Sequence, residues 1–141
     1  MTVLKHIKDM SVSEFREQAK AIIDEVKDEG YVIHHKMSKA KVCENSITRR
    51  LEKHKLPHMA DVQEIKGLLG EVAGMLDKTQ RDMVHLLYLA RHCKSLDNEV
   101  IDNCNLIAST FFENIIDGRK FIDSRLVSCD VTIDLLLAAN A

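Results

Sequence analysis

Apolar residues recur every three or four positions along most of the chain, which is the spacing of one face of an α-helix. The first such stretch carries Val12, Phe15, Ala19, Ile22, Ile23 and Val26. It follows Ser11 and Glu14, whose spacing is that of a capping box, and it runs up to Gly30, a residue type that often follows a helix. The pattern predicts a helix over residues 13–29.

The segment that follows, residues 31–56, permits two interpretations. Its first residues, Tyr31 to Ile33, have the composition of the start of a strand. A heptad-like stripe with 4-3-4-3-4 spacing instead contains Ile33, Met37, Ala40, Glu44, Ile47 and Leu51. Because no partner strand is evident elsewhere in the sequence, we favour a helix over residues 33–55 that stops before Pro57. Residues 31–36 stay open between strand and helix.

Four more amphipathic or apolar stretches follow, separated by short links. They predict helices over residues 61–76, 79–94, 97–117 and 119–138, with Asp97 as a cap and Gly118 as a stop. Whether the first of these helices breaks at residues 77–79 or runs on stays open. The stretch over residues 79–94 is apolar on nearly every side, so it is predicted to be the most buried helix. Short links make consecutive helices antiparallel neighbours. The predicted fold class is all-α, a single-domain antiparallel bundle of five to six helices over residues 1–141.

Three glycines lie inside the helix predicted over residues 61–76. They are Gly67, Gly70 and Gly74. Each costs about 1 kcal/mol relative to alanine in a helix interior. We expect the close approach of a neighbouring helix to explain them.

Composition agrees with a helical globular protein. The 141 residues are 45% hydrophobic and 30% charged, with one proline and five glycines, which leaves few breakers for the turns of a β-sandwich. No apolar run is long enough to cross a bilayer, and no signal peptide or lipidation motif is recognised. The four cysteines form no CxxC pair and predict reduced, buried thiols. We therefore expect a cytoplasmic or nuclear protein without membrane insertion.

Charge is distributed unevenly along the chain. Residues 31–58 carry seven basic and two acidic side chains, whereas residues 97–141 carry three basic and eight acidic ones. The basic side chains form a candidate surface for nucleic acid or another polyanion. They are Lys36, Lys39, Lys41, Arg49, Arg50, Lys53 and Lys55. The alternative is a solvated helix face that pairs with the acidic third of the molecule.

Catalytic constellations are not recognised in the sequence. There is no GxSxG elbow, phosphate-binding glycine loop or Glu-x-x-His pair. The carboxylate pairs that end in Glu25 and Glu29 are expected on exposed helix faces. Cys43, His54 and His58 offer three metal-ligand types but lack a fourth ligand for a closed zinc site. We assign no catalytic residue, cofactor, metal or small-molecule substrate, and keep a metal-dependent enzyme as a minor alternative.

The C-terminal third is richer in apolar side chains than one buried helix face requires. The residues predicted to take part in self-association are Phe111, Phe112, Ile115, Leu135 and Leu136. The alternative is a central helix that packs against neighbours on two sides. The function predicted from the sequence is that of a non-enzymatic helical interaction protein, a homodimer that binds another macromolecule. The second hypothesis is a nucleic-acid-binding repressor or duplex-RNA binder that uses residues 36–55.

Overall fold

The computed structural model describes residues 6–140, and within them the protein is helical with no strand. Three long helices follow a helical turn at residues 6–8. We label them α1 (Val12–Glu52), α2 (Met59–His92) and α3 (Asn98–Ala139). The all-α prediction is confirmed, and residues 31–36 are helix.

The predicted number of five to six helices is wrong, because each long helix joins two predicted ones. The helices predicted over residues 13–29 and 33–55 are both part of α1, and the same holds for the later pairs in α2 and α3. The expected breaks at Gly30 and Gly118 are both helical, and at residues 77–79, where the sequence left a break or a continuous helix open, the helix continues. A glycine costs a helix about 1 kcal/mol but leaves its backbone hydrogen bonds intact, whereas proline removes a donor and clashes with the preceding turn. The chain leaves its first helix before Pro57, as predicted.

The chain divides into two compact units, and the boundaries fall close to the predicted helix breaks. Unit 1 contains residues 6–29 and 77–116, and unit 2 contains residues 30–76 and 117–140. The boundary positions lie inside all three helices. The sequence pattern therefore changes where the units change, although the helical backbone does not end there. That the chain folds as a single domain stays a prediction.

Unit 1 has a core centred on α2. The predicted burial on nearly every side of residues 79–94 is not observed, because Val84 and Tyr88 are 53% and 41% exposed. Met83, Leu86, Leu89 and Ala90 are at most 1% exposed and pack with the first half of α1 and with Cys104.

Capping side chains hold the first turns of α1 and α3. Ser11 Oγ accepts the backbone N–H of Glu14 at 3.1 Å, and Asp97 Oδ1 accepts that of Val100 at 3.0 Å. Both predicted caps are confirmed.

Unit 2 has its own core and antiparallel helix neighbours. Its buried side chains are Cys43, Val62, Ile65, Leu69, Val72, Ala73, Ile122, Cys129 and Leu136. Two contacts, Lys36 with Glu71 and Ser46 with Asp61, show that α1 and α2 run in opposite directions here. A salt bridge from Lys66 to Asp130 at 2.6 Å lies between α2 and α3.

The three glycines of the predicted helix over residues 61–76 do not mark a close helix contact. A Cβ atom added at Gly67, Gly70 or Gly74 would meet nothing within 4 Å, and all three residues are exposed. The expectation of close packing there is wrong. These positions carry the cost of glycine in a helix without an evident packing gain.

Candidate functional site

Intramolecular contacts occupy part of the predicted basic surface. Lys36 Nζ donates to Glu71 at 2.5 Å, and Lys41 lies 3.9 Å from Glu44. Arg50 Nε donates to the carbonyl oxygen of Leu56 at 2.7 Å. These three cations form contacts within unit 2. Their partners lie between residues 44 and 71, and not in the acidic third of the molecule that the alternative interpretation expected.

Five cations of the same segment remain exposed. Lys41 is one of them, since its side chain is 70% accessible beside Glu44. The other four, Lys39, Arg49, Lys53 and Lys55, form no ion pair within residues 6–140. Arg49 Nε donates to the carbonyl oxygen of Asn45 in its own helix. The open part of the basic segment is therefore narrower than the seven predicted residues and includes the C-terminal end of α1.

The end of α1 is closed by a Schellman motif. His54 has a positive φ of 57°, in the left-handed region. The N–H of Lys55 donates to the carbonyl of Arg50, and that of His54 donates to the carbonyl of Leu51. Cations in this turn also lie at the negative end of the helix dipole, which favours them whether or not a ligand is present.

The predicted self-association residues divide between core and surface. Ile115 and Leu136 are buried, and Phe112 packs against the core of unit 1. Phe111 is 36% exposed and Leu135 is 66% exposed. Buried side chains cannot reach a partner, so we retain only the last two as candidates for an interaction surface.

A face of α3 in unit 2 exposes three large aliphatic side chains in a row. Val127, Val131 and Leu135 are 63%, 52% and 66% exposed. Their four-residue spacing places them on one side of the helix, and we call them the aliphatic face. Neither valine was predicted from the sequence, because the prediction depended on two stretches rich in adjacent apolar residues, 111–116 and 135–137. The signal was a second apolar stripe beside the one formed by Ile122, Leu126, Cys129, Ile133 and Leu136.

A small cavity lies among the helices of unit 2. Its volume is about 210 Å³, its floor includes Ile47, Val62 and Ile65, and its rim includes a 3.1 Å salt bridge between Arg125 and Glu44. Pockets for small-molecule ligands are usually about 300–1,000 Å³. The rim charges already satisfy each other, so the cavity supplies no argument for a substrate.

The cysteines are free and buried, as the sequence predicted. Burial raises the pKa values of Cys43, Cys104 and Cys129, which keeps these thiols protonated and poorly nucleophilic. His54 and His58 are exposed, and the structure does not bring them together with Cys43 as a group of metal-ligating side chains within the described part of the chain.

Unit 1 contains an acidic cluster that the sequence did not predict. Carboxylate oxygens of Glu25, Glu29 and Asp82 lie within 4.8 Å of one another, and Glu29 is only 6% exposed. Lys78 donates to Glu25 and, at 2.8 Å, to Glu29. Thr79 Oγ1 also donates to Glu29, at 2.6 Å. The expectation that both glutamates lie on exposed faces is wrong for Glu29.

The lysine supplies the positive charge of this cluster. Burial by itself raises the pKa of Glu29, but hydrogen bonds from Lys78 and Thr79 outweigh that effect and hold the pKa below its usual value. Hydrogen bonds to Glu25 and Glu29 raise the pKa of Lys78. The Lys78 ammonium group already pairs with two of the three carboxylates, Glu25 and Glu29, so the geometry does not favour a metal site.

Comparisons with known proteins add no identification. No protein-family model, curated protein or solved structure matches the chain. None of the helices in the described range has the length and apolarity needed to cross a membrane. The exposed surfaces of the two units are therefore the remaining source of information on function.

Proposed function

We propose that this protein is a non-enzymatic interaction protein that self-associates through the aliphatic face of α3. The observation that carries the proposal is the exposure of Val127, Val131 and Leu135, each more than half accessible to water. Contiguous exposed aliphatic side chains are typical of interaction surfaces. Covering them removes apolar area from water, at roughly 25 cal/mol per Å².

Core packing does not account for these three residues. The core of unit 2 already contains Ile122, Cys129 and Leu136 from the same helix. A polar residue at each exposed position would preserve that core and improve solubility. A partner that covers the face gives the aliphatic side chains a role.

Charge complementarity favours a second copy of the chain as the partner. Between residues 126 and 139, α3 carries Asp130 and Asp134 and no basic residue. Residues 30–52 of α1 carry five cations and two carboxylates, and Val42 on this segment is 65% exposed. In a two-fold dimer, α3 of each copy can lie against the basic side of α1 of the other. Both contacts would then combine aliphatic burial with opposite charges.

Light scattering during size-exclusion chromatography tests the proposal at tens of micromolar protein. We expect a dimer, and we expect Val131→Asp to raise the dissociation constant at least tenfold, because a carboxylate in an apolar contact costs more than the 1.4 kcal/mol that tenfold represents. Val84→Asp is the matched control. Val84 is 53% exposed against 52% for Val131, and each valine lies eight residues before the end of its helix. A wild-type monomer, or equal weakening by both variants, would overturn the proposal.

A charge exchange tests the identity of the partner surface. Asp134→Lys and Lys39→Glu should each weaken the dimer several-fold, and the double variant should recover most of the loss. Both side chains are exposed and form no ion pair within residues 6–140. Absence of recovery would place the partner of the aliphatic face elsewhere.

A second candidate function is sequence-independent binding to the phosphates of duplex nucleic acid. The exposed cations Lys39, Arg49, Lys53 and Lys55 favour it. Three of them lie within seven residues at the end of α1, and Glu52 is the one carboxylate among those seven. Backbone contacts suit this set better than base stacking, because the segment has Tyr31 as its one aromatic residue.

Gel-shift titrations on duplex DNA and RNA at several salt concentrations test this candidate. On B-DNA, affinity should fall with salt with a log–log slope of about −0.9 per phosphate neutralised. Arg49→Ala should weaken binding on all sequences. Lys36→Ala is the matched control, because Lys36 is paired with Glu71. No complex at low salt, or equal effects of the two substitutions, would reject the candidate.

A further inference from the structure

Asp82 leaves one buried oxygen without a hydrogen bond. Its Oδ2 atom is inaccessible to water and has no partner in the described part of the chain. Buried polar atoms in folded proteins nearly always have a partner, so an orphaned one requires an explanation. The nearest polar groups include the carboxylates of Glu25 and Glu29, which accept hydrogen bonds and cannot donate when ionised.

The charges around Asp82 do not balance when all carboxyl groups are ionised. On α1 the facing groups are Glu25 and Glu29, and on its own helix the facing group is Lys78. These four groups then carry three negative charges and one positive charge. Of the three carboxylates, Glu29 is stabilised by donors from both Lys78 and Thr79. Protonation of Asp82 therefore relieves more electrostatic repulsion in the cluster than protonation of either glutamate.

We infer that Asp82 and Glu29 share one proton in mildly acidic solution, with Asp82 as the donor, and that unit 1 is stabilised as this proton binds. Protonation gives the half-buried carboxyl of Asp82 a hydrogen to donate to Glu29. It also removes one negative charge from a cluster with a single ammonium group.

Electrostatics supports the same direction. Burial, together with the hydrogen bond and the negative charge of Glu29, raises the pKa of Asp82 to about 6. At that pKa, roughly one tenth of the molecules carry the proton at pH 7 and about nine tenths at pH 5. The folded state binds the proton more tightly than the unfolded state, so stability should fall as pH rises from about 4 to about 6 and change little above that range from this group.

The stability that Glu29 contributes changes with pH outside the range from pH 5.0 to 7.5. Its pKa is lowered in the folded protein, so the stability that it supplies is lost only as pH falls below the ordinary range of a glutamate. Measurements between pH 5.0 and 7.5 therefore isolate the Asp82 site from the loss of the Glu29 interactions.

Thermal unfolding of the wild type and of two variants at pH 7.5 and pH 5.0 tests the inference. Asp82→Asn supplies an amide donor at every pH. We expect its melting temperature to exceed that of the wild type by a few degrees at pH 7.5, and this gap to shrink to about half at pH 5.0. Asp28→Asn is the matched control, because Asp28 is an exposed carboxyl group one residue from Glu29. Its difference from the wild type should be the same at both pH values.

A carbon-13 titration of the wild-type carboxyl groups provides a second measurement that does not depend on a stable variant. The Asp82 carboxyl resonance should show a midpoint near pH 6, and Glu29→Gln should move that midpoint downwards. A midpoint near pH 4 in the wild type, or an Asp82→Asn gap that is equal at the two pH values, would overturn the inference.

Discussion

Unit 1 and unit 2 hold similar lysines in different surroundings. Lys78 of unit 1 and Lys66 of unit 2 are 46% and 49% exposed, so the two ammonium groups are alike in their access to water. Their partners differ, because Glu29 is 6% exposed whereas Asp130 is 56% exposed. The contribution of an ion pair to stability therefore depends on how deeply its less exposed partner is buried, and not on the presence of the pair alone.

The largest expected effects come from the two cores. Leu89→Ala in unit 1 and Leu69→Ala in unit 2 each truncate a side chain that is at most 2% exposed. Each should lower the free energy of unfolding by about 3 kcal/mol. Urea denaturation followed by circular dichroism measures both changes.

The same experiment tests the single-domain prediction. If the chain is one cooperative domain, each variant shifts one shared transition to lower urea concentration. Two transitions, with Leu89→Ala moving one and Leu69→Ala moving the other, would mean that the units unfold separately and would contradict that prediction.

The paired lysines come next in size. Lys78→Ala should lower the free energy of unfolding by less than the core truncations, because it leaves the buried carboxylate of Glu29 with Thr79 as a side-chain donor and without its counter-ion. Lys66→Ala is the control and should change the free energy of unfolding far less, since the exposed carboxylate of Asp130 keeps its water. Equal losses in thermal or urea denaturation would erase the distinction between the two units.

Local structure was predicted from the sequence better than the connections between distant residues. The caps at Ser11 and Asp97 depend on side chains within three residues, so the local pattern was sufficient for both. The breaks expected at Gly30 and Gly118 failed for the opposite reason. A local cost of about 1 kcal/mol is smaller than the gain from continued helical hydrogen bonds and burial on both sides.

The candidate sites were predicted only in part. The basic segment was visible as composition, and Glu44 lies only three residues from Lys41, but the pairing of Lys36 with Glu71, 35 residues away, emerged only in the structure. The cluster around Glu29 joins residues that are 49 and 50 positions apart in the sequence, and no local spacing connects them. Which of two apolar stripes on α3 is buried is likewise decided by the neighbouring helices.

A smaller effect, and a stabilising one, is expected in unit 2. Gly70 is an exposed position inside α2, and an added Cβ would meet nothing within 4 Å. Gly70→Ala should raise the free energy of unfolding by about 0.5–1 kcal/mol, because alanine loses less backbone entropy on folding and has the higher helix propensity. Chemical denaturation measures the gain. A loss of stability would show that the backbone at this position has a role that its open surroundings do not reveal.

The smallest effect is expected at His54. Gly70 is a glycine in a helical backbone that favours alanine, whereas His54 is a non-glycine residue in a backbone conformation that favours glycine. Its φ of 57° lies in the left-handed region, which is favourable for glycine and costs other residues about 1 kcal/mol. Part of the gain from glycine is lost to the greater freedom of the unfolded chain, so His54→Gly should raise the free energy of unfolding by about 0.5 kcal/mol. His54→Ala is the control, because it removes the imidazole and keeps the strained backbone. If alanine stabilises as much as glycine, then the histidine ring, and not the backbone conformation, is the unfavourable feature of this turn.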